Sequence, residues 1–184
     1  MLLGAIITSP YTPQGCALAQ SLKTTQTTIG AVASPLECWL TLRGLRTLHL
    51  RLQRQCHSAM KLASFLSAHH LVEKVHYPGM ITHPNHDIAM KQMKHGMYGG
   101  MLSFEVRDEC MAMAVAGAVG TVKRGTSLGG TETLVEHRAS IEPSDRVTSP
   151  LGLLRVSVGL EEVEDLICDF EFALRIAWDV VGDD

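Results

Sequence analysis

Hydrophobic positions near the end of the chain recur at a spacing of three or four residues. Val163, Leu166, Ile167, Phe170 and Leu174 follow the i, i+3, i+4 pattern of a helix with one buried face. Acidic residues crowd the start of this stretch, where the helix dipole stabilises negative charge. The pattern therefore predicts a long amphipathic helix near the carboxyl end of the chain.

A second helical pattern covers the leucine-rich stretch from Leu36 to His69, which contains no proline. Ser34 and Pro35 form a helix-start signal, because serine can cap the first turn and proline fits its first position. Gly44 marks a break or a close contact, so the stretch is one long helix or two in sequence. A shorter helix is predicted over Gln14–Lys23, ending in the threonine-rich residues 24–28. The predicted buried face of the long segment comprises Cys56, Ala59, Met60, Ala63 and Leu66.

Strand patterns alternate with helical ones in the second half of the chain. Strands are predicted over Leu71–Tyr77, Met101–Val106 and Leu153–Val158, and helices over Ile88–His95 and Asp108–Val119. Residues 121–130 are expected to be irregular. The alternation predicts an α/β protein, of mixed α+β character in its carboxyl-terminal part, with an open sheet and helices packed against it.

The first eight residues, Met1–Thr8, read as a strand that is apolar on both faces. Such strands occur inside parallel sheets that are covered above and below. Two interpretations are open: an ordinary terminal strand that pairs with a later one, or a central-sheet strand whose neighbours belong to a preceding segment.

Composition and charge exclude several classes of protein. The 184 residues are 46% hydrophobic and 19% charged, which is typical of a folded globular chain. A net charge of −3 gives no basis for a nucleic-acid partner. Apolar stretches all fall far short of the roughly 20 residues that a membrane span needs, so no membrane association is expected.

Cysteine and histidine spacing provides no metal or disulfide signature. The five cysteines include no C-x-x-C pair, which argues against a disulfide framework or a zinc site and suits a reducing, cytoplasmic location. His83 and His86 are three residues apart with His95 nearby, but no H-E-x-x-H motif is present. The expectation for metal ligands is therefore none.

Arg155 is the most informative polar residue, because it lies inside the otherwise apolar strand 153–158. It shares one face with Leu153 and Ser157. A guanidinium buried there without a partner would cost several kcal/mol. Arg155 therefore either forms an internal ion pair or binds a ligand carboxylate, for which its planar fork is suited.

The segment Ser127–Gly130 contains two adjacent glycines beside a serine. Paired glycines allow a sharp turn or a close approach of the backbone to a ligand. The pattern is short, so a structural loop and a ligand-binding loop both remain open on the residues alone.

Taken in order, these landmarks resemble the transsulfuration enzymes of cysteine and methionine metabolism: cystathionine gamma-synthase, cystathionine beta- and gamma-lyase, and methionine gamma-lyase. The matching stretches occur in the family's order and at its spacing across nearly the whole chain, which makes the set specific although each motif is weak. They are Ser34-Pro35 with Trp39-Leu40, residues 43–48, Tyr77-Pro78-Gly79 with His83-Pro84 and His86, residues 99–104, Ser127–Gly130 with Glu132, residues 136–140, residues 154–159 and residues 162–166.

The resemblance implies the carboxyl-terminal portion of a fold-type I enzyme dependent on pyridoxal 5'-phosphate, acting on a small amino-acid substrate and assembled as a homo-oligomer, usually a homotetramer. It implies that Ser127 and Arg155 bind the substrate's α-carboxylate, which favours the ligand reading of Arg155. It also implies that Thr126, directly before the serine, influences reaction preference. Thr126 differs from the glutamate that many relatives carry, so the reaction stays open.

The family's Schiff-base lysine corresponds to a position before Gly4, and its other cofactor-binding residues lie further upstream. We therefore expect no catalytic and no cofactor-binding residue in this chain. The expected domains are 1–55, a remnant of the large cofactor-binding domain with the start of a long helix, and 56–184, the small carboxyl-terminal domain. Two functions are open: part of a lyase or transferase acting by β/γ-elimination or γ-replacement, or a non-catalytic fragment or assembly module that keeps only the carboxylate site.

Overall fold

Helices dominate the first part of the computed structural model, which describes residues 4–143 and 145–182. The chain divides into two units, Met1–His49 and Leu50–Asp184. The first contains α1 (Pro13–Ile29) and α2 (Pro35–Leu45). The division lies near the predicted domain boundary at residue 55, and the assignment of residues 1–55 to a larger domain stays a prediction.

Both helices of the first unit begin at the expected kind of signal. The Thr12 hydroxyl accepts a hydrogen bond from the Gly15 N–H at the start of α1. Ser34 and Glu37 form a reciprocal capping box at the start of α2, which confirms the Ser34-Pro35 prediction. Helix α1 continues through the threonine-rich residues 24–28, where it was predicted to end. Within it, Thr24, Thr27 and Thr28 donate their hydroxyls to carbonyls four residues back, so these side chains satisfy their hydrogen bonds inside the helix.

The interpretation of the first eight residues as a strand that pairs with a later one is wrong over the residues that the structure describes. The interpretation as a central-sheet strand with neighbours in a preceding segment stays a prediction. Residues 4–9 form no helix or strand, and Met1–Leu3 lie outside the described residues. Ile6 and Ile7 are exposed, Ile7 to 94%. An apolar segment forms a strand only when a neighbouring strand accepts and donates its main-chain hydrogen bonds, and no described strand pairs with this one.

The leucine-rich segment forms two helices, α2 and α3 (Leu48–Ala68), separated near Gly44. The predicted face of α3 is confirmed, since Cys56, Ala59, Ala63 and Leu66 are buried, while Met60 is half-buried.

The second unit contains a mixed five-stranded sheet in the order β1-β2-β5-β4-β3. The strands are β1 (Lys74–His76), β2 (Met101–Glu105), β3 (Lys123–Arg124), β4 (Leu134–His137) and β5 (Leu153–Ser157). All neighbours are antiparallel except β3 and β4, which are parallel. The open sheet with packed helices is confirmed. Two details differ from prediction: β3 lies within the stretch expected to be irregular, and β4 was not predicted.

One face of the sheet packs into the core. Leu102, Phe104, Leu154, Val156 and Val135 are almost fully buried there. They pack in a cluster with α3, α5 (Glu109–Ala118) and α6 (Val163–Val181), the predicted amphipathic helix. The short helix α4 (His86–Gln92) precedes β2. Since this face is filled by apolar side chains, the alternate residues of the same strands project to the other face.

Candidate functional site

Polar side chains line up across the opposite face of the sheet at its centre. The register pairs Arg155 of β5 with Ser103 of β2 on one side and with Glu136 of β4 on the other. Directly opposed residues in a sheet have side chains within contact distance. The sheet therefore brings a guanidinium and a carboxylate together that are 19 positions apart in sequence (155 − 136).

The Arg155 guanidinium is held at two points. Its Nε lies 2.9 Å from Oε1 of Glu136, and its Nη2 donates to the main-chain carbonyl of Thr126 at 2.6 Å. The contact with Glu136 is an ion pair, and the contact with Thr126 is a hydrogen bond. A guanidinium has five N–H donors, so at least three of them have no protein acceptor among the described residues. The side chain is 23% exposed.

Glu136 is the buried member of this pair, with a side chain only 3% exposed. Its Oε1 also lies 3.3 Å from Nη1 of Arg138, so two guanidinium groups share one carboxylate oxygen. The other oxygen, Oε2, is buried and has no hydrogen-bond partner among the described residues. Arg138 also forms an ion pair with Glu142, whose Oε1 lies 3.5 Å from its Nε.

The segment Thr126–Gly130 is attached to the same strand at a second place. The Gly129 N–H donates to the hydroxyl of Ser157, which is two residues beyond Arg155 on the same face. Gln55 of α3 donates to the Gly130 carbonyl at 2.8 Å. Gly129 has a φ of 72°, in the left-handed region that glycine adopts without a steric penalty. The backbone of the loop is therefore held at Gly129 and Gly130, and Ser127 is exposed on it.

The carboxyl side of the loop is fixed by a second set of contacts. The carboxylate of Glu161 accepts from both the N–H and the hydroxyl of Thr133, at 2.6 and 2.7 Å. Leu160 donates its N–H to the Thr131 carbonyl, and a side chain at Gly159 would collide with that same carbonyl. These contacts tie the loop to the turn between β5 and α6.

The structure brings all three predicted site residues to one place. The carbonyl bonded to Arg155 belongs to the peptide that joins Thr126 and Ser127, so the serine follows the contact directly. The internal ion pair, which was the other open reading of Arg155, is present as well. The acid partner lies close to the segment Thr126–Gly130, because the same guanidinium contacts Glu136 and the carbonyl of Thr126.

Sequence reasoning missed Glu136, Ser157 and Gln55 as residues that shape this site. Ser157 could have been found, since it alternates with Arg155 along one strand. Glu136 could not, because β4 contains Glu136 and His137 side by side and has no alternating apolar pattern.

Cavities in this unit lie beside the site rather than across it. One of about 300 Å³ is lined by Thr126, Glu136, Arg124 and His137 together with apolar residues. A larger one of about 590 Å³ lies beside His57 and His95 and includes neither Ser127 nor Arg155. We assign the site from the paired side chains, because recognition depends on placed polar groups rather than on volume.

Metal and membrane signatures are absent from the residues that the structure describes. Within 4–143 and 145–182, no three His, Cys, Asp or Glu side chains gather as metal ligands would. Among those same residues, no helix combines the length and the apolar character that a bilayer crossing requires. The six lysines, Lys23, Lys61, Lys74, Lys91, Lys94 and Lys123, are all exposed.

Known proteins are similar to this chain over almost its whole length. A family model described as Cys/Met metabolism PLP-dependent enzyme matches residues 1–175. The chain is 42% identical over 174 residues to a cystathionine beta-lyase of Coxiella burnetii, covering 85% of this chain and 42% of that protein. It thus spans about two fifths of the length of that relative.

Solved structures of enzymes that act on sulfur compounds also match most of this chain. The crystal structure of cystathionine gamma-lyase from yeast matches with a TM-score of 0.82 and 40% identity, over 88% of this chain and 43% of that one. A protein of Campylobacter jejuni named as an O-acetylhomoserine (thiol)-lyase matches with a TM-score of 0.77 and 28% identity, over 90% and 38%. That structure contains N'-pyridoxyl-lysine-5'-monophosphate.

Proposed function

This chain belongs to the PLP-dependent enzymes of cysteine and methionine metabolism, and from that premise we propose that it forms the substrate-carboxylate side of such an enzyme. The proposed substrates are sulfur-containing amino acids or related compounds: cystathionine, cysteine, homoserine esters or methionine. The proposed reaction is β/γ-elimination or γ-replacement. Arg155 and Ser127 bind the α-carboxylate.

One observation carries this proposal: Arg155 is fixed on the peptide before Ser127 while three of its donors still lack a protein acceptor. A ligand carboxylate can accept two parallel hydrogen bonds from such a fork. The exposed hydroxyl of Ser127 can donate a third. A fully buried structural arginine would have its donors used by the protein itself, whereas Arg155 is partly exposed.

Thr126 contributes to specificity in this proposal. Its carbonyl holds Arg155, while its side chain is exposed next to Ser127. A neutral threonine beside the carboxylate site adds no charge to the substrate's surroundings, whereas a glutamate would repel an acidic group and attract an amine. We infer that this position affects which distal substrate group is accepted.

Pyridoxal 5'-phosphate, when bound, supplies the electron sink for the reaction. A lysine that forms a Schiff base is activated by desolvation or by a neighbouring cation, and all six lysines here are exposed. The described residues thus fit the acid end of the substrate and do not fit the cofactor's lysine linkage. We propose that a large domain, of which residues 1–55 are part, supplies that lysine.

Exposed apolar residues in the first unit support this division. None of the described residues 4–49 is buried, and Leu36, Trp39 and Leu42 project from α2, with Trp39 60% exposed. Apolar surface of this extent is typical of a contact with further protein. We propose that the complete enzyme is a cytoplasmic homo-oligomer, a homotetramer as the resemblance implies.

The exposed lysines also favour a second candidate, a non-catalytic binding or assembly module that retains the carboxylate site. The two candidates differ in whether a lysine-bearing segment is encoded in frame upstream. Such a segment would support the enzyme. Its absence would support the module.

The carboxylate site is tested by titrating the purified chain with L-methionine and with L-methioninamide, followed by NMR shifts of the 126–130 amides. The expected result is that only the carboxylate form binds, and that Arg155→Met abolishes binding. Arg175→Met, on the exposed side of α6, is the matched control and should bind normally. Equal binding of the amide, or normal binding by Arg155→Met, would overturn the proposal.

A further inference from the structure

Glu136 has a placement that carboxylate binding by Arg155 does not by itself explain. An acidic side chain is almost fully buried beside the group proposed to attract a ligand anion. By charge alone it should weaken that attraction, since like charges in a poorly solvated site repel. Burying a carboxylate also costs several kcal/mol unless its partners compensate. A buried acid at this position therefore calls for a specific role.

The geometry of the pair points to that role. Glu136 contacts Nε, which lies at the base of the guanidinium, and Thr126 contacts Nη2 at its tip. Two contacts at different nitrogens fix both the direction and the plane of the group. Without the contact at Nε, the long side chain would rotate about its four side-chain torsions. The donors that remain are those of Nη1 and the second hydrogen of Nη2.

Glu136 itself is held from more than one side. It lies in a strand whose register places it opposite Arg155, and Arg138 shares its Oε1. The buried Oε2 has no partner among the described residues. A carboxylate with one buried oxygen left without a partner contributes little to the stability of the fold. Its contact with Arg155 is the interaction that bears on the site.

We propose that Glu136 is a positioning residue for carboxylate recognition, acting through Arg155; this rests on the proposed function of Arg155. Its carboxylate pre-orients the guanidinium so that the unused donors face the ligand. The benefit is that the arginine's rotational freedom is lost on folding rather than on binding, which is the general effect of preorganisation.

Two conservative variants distinguish the effect of the length of the Glu136 side chain from the effect of its charge. Glu136→Asp keeps the charge but withdraws the carboxylate by about 1.5 Å, one carbon–carbon bond. Glu136→Gln keeps the reach and an oxygen acceptor but removes the charge. If orientation matters, the aspartate variant should bind L-methionine about five- to tenfold more weakly, and the glutamine variant should change by less than about threefold.

The opposite ranking would overturn the inference. If Glu136 acts only as a competing charge, Glu136→Gln should bind much more tightly and Glu136→Asp should match the natural chain. If it has no role in the site, neither variant should differ from Glu132→Gln. That control removes an exposed glutamate which is paired with Lys123 on the same segment.

A second measurement distinguishes a loss of arginine orientation from a general disturbance of the variant's structure. The Arg155 Nε–H resonance reports how far the contact with Glu136 shields that group from water, so its exchange should be slow in the natural chain and in Glu136→Gln. It should become fast in Glu136→Asp while the 126–130 amides keep their positions. Slow exchange in the aspartate variant would contradict the inference. Binding that survives Arg155→Met would instead overturn the proposed function.

Discussion

Asp169 of α6 offers a direct test of how the fold fixes the candidate site. Its two carboxylate oxygens accept separate hydrogen bonds from the N–H groups of Gly120 and Val122, both at 2.8 Å. Val122 directly precedes β3, and β3 leads into the segment 126–130. Replacing Asp169 with alanine removes both acceptors and frees the start of that segment.

The size of the effect follows from the burial of the two donors. Gly120 is exposed, and its N–H can bond to water instead, so its loss costs about 0.5–1.5 kcal/mol. Val122 is buried, and its orphaned N–H costs about 1–3 kcal/mol. The total for Asp169→Ala is about 1.5–4.5 kcal/mol. Asp169→Asn keeps one oxygen acceptor and should lose about half as much.

Urea unfolding followed by circular dichroism measures this free energy. Asp179→Asn is the control, because Asp179 is exposed near the other end of the same helix. It should change stability by less than about 0.5 kcal/mol. A loss below about 1 kcal/mol for Asp169→Ala, or no difference between the alanine and asparagine variants, would show that the two hydrogen bonds do not hold this turn.

Three further predictions follow from burial and hydrogen bonding. Burial raises the pKa of Tyr77 far above its usual range, so its phenol stays protonated in the folded state. Stability should therefore fall as pH rises above about 10, where the unfolded tyrosine ionises, and a Tyr77→Phe chain should lose less stability over that rise. The Ser149 hydroxyl and the main-chain N–H groups of Thr148 and Ser149 lower the pKa of Glu142 to about 2. Its stabilising contribution should be complete above its unfolded value of about 4.3 and lost as pH falls through about 2, and the Thr148 amide shift should show that midpoint; a midpoint near 4.3 would contradict it. Limited proteolysis should remove residues before about Ser34 and leave a stable remainder, because none of the described residues 4–34 is buried; protection of this segment would contradict that expectation.

Helix α6 and strands β2 and β5 were predictable because their signals are local. The i, i+3, i+4 pattern from Val163 to Leu174 and the alternation around Arg155 depend only on the residues within each element. The capping box at Ser34 is local in the same way. Arg155 also stood out on sequence alone, because a charged side chain in an apolar strand needs a partner.

Identifying that partner required the tertiary structure. The pairing of β4 with β5 places Glu136 opposite Arg155, and strand register is set by contacts between segments that are far apart in sequence. Local alternation gives no such information, and β4 has too few apolar residues to be found by it. The same reason explains why the residues around Ile6 and Ile7 form no strand with the rest of this chain: their apolar character favours a strand, but only a neighbouring strand can satisfy its hydrogen bonds. Local patterns along the chain therefore predict the long helices, β2, β5 and the importance of Arg155, whereas contacts between distant strands place Glu136 beside that arginine.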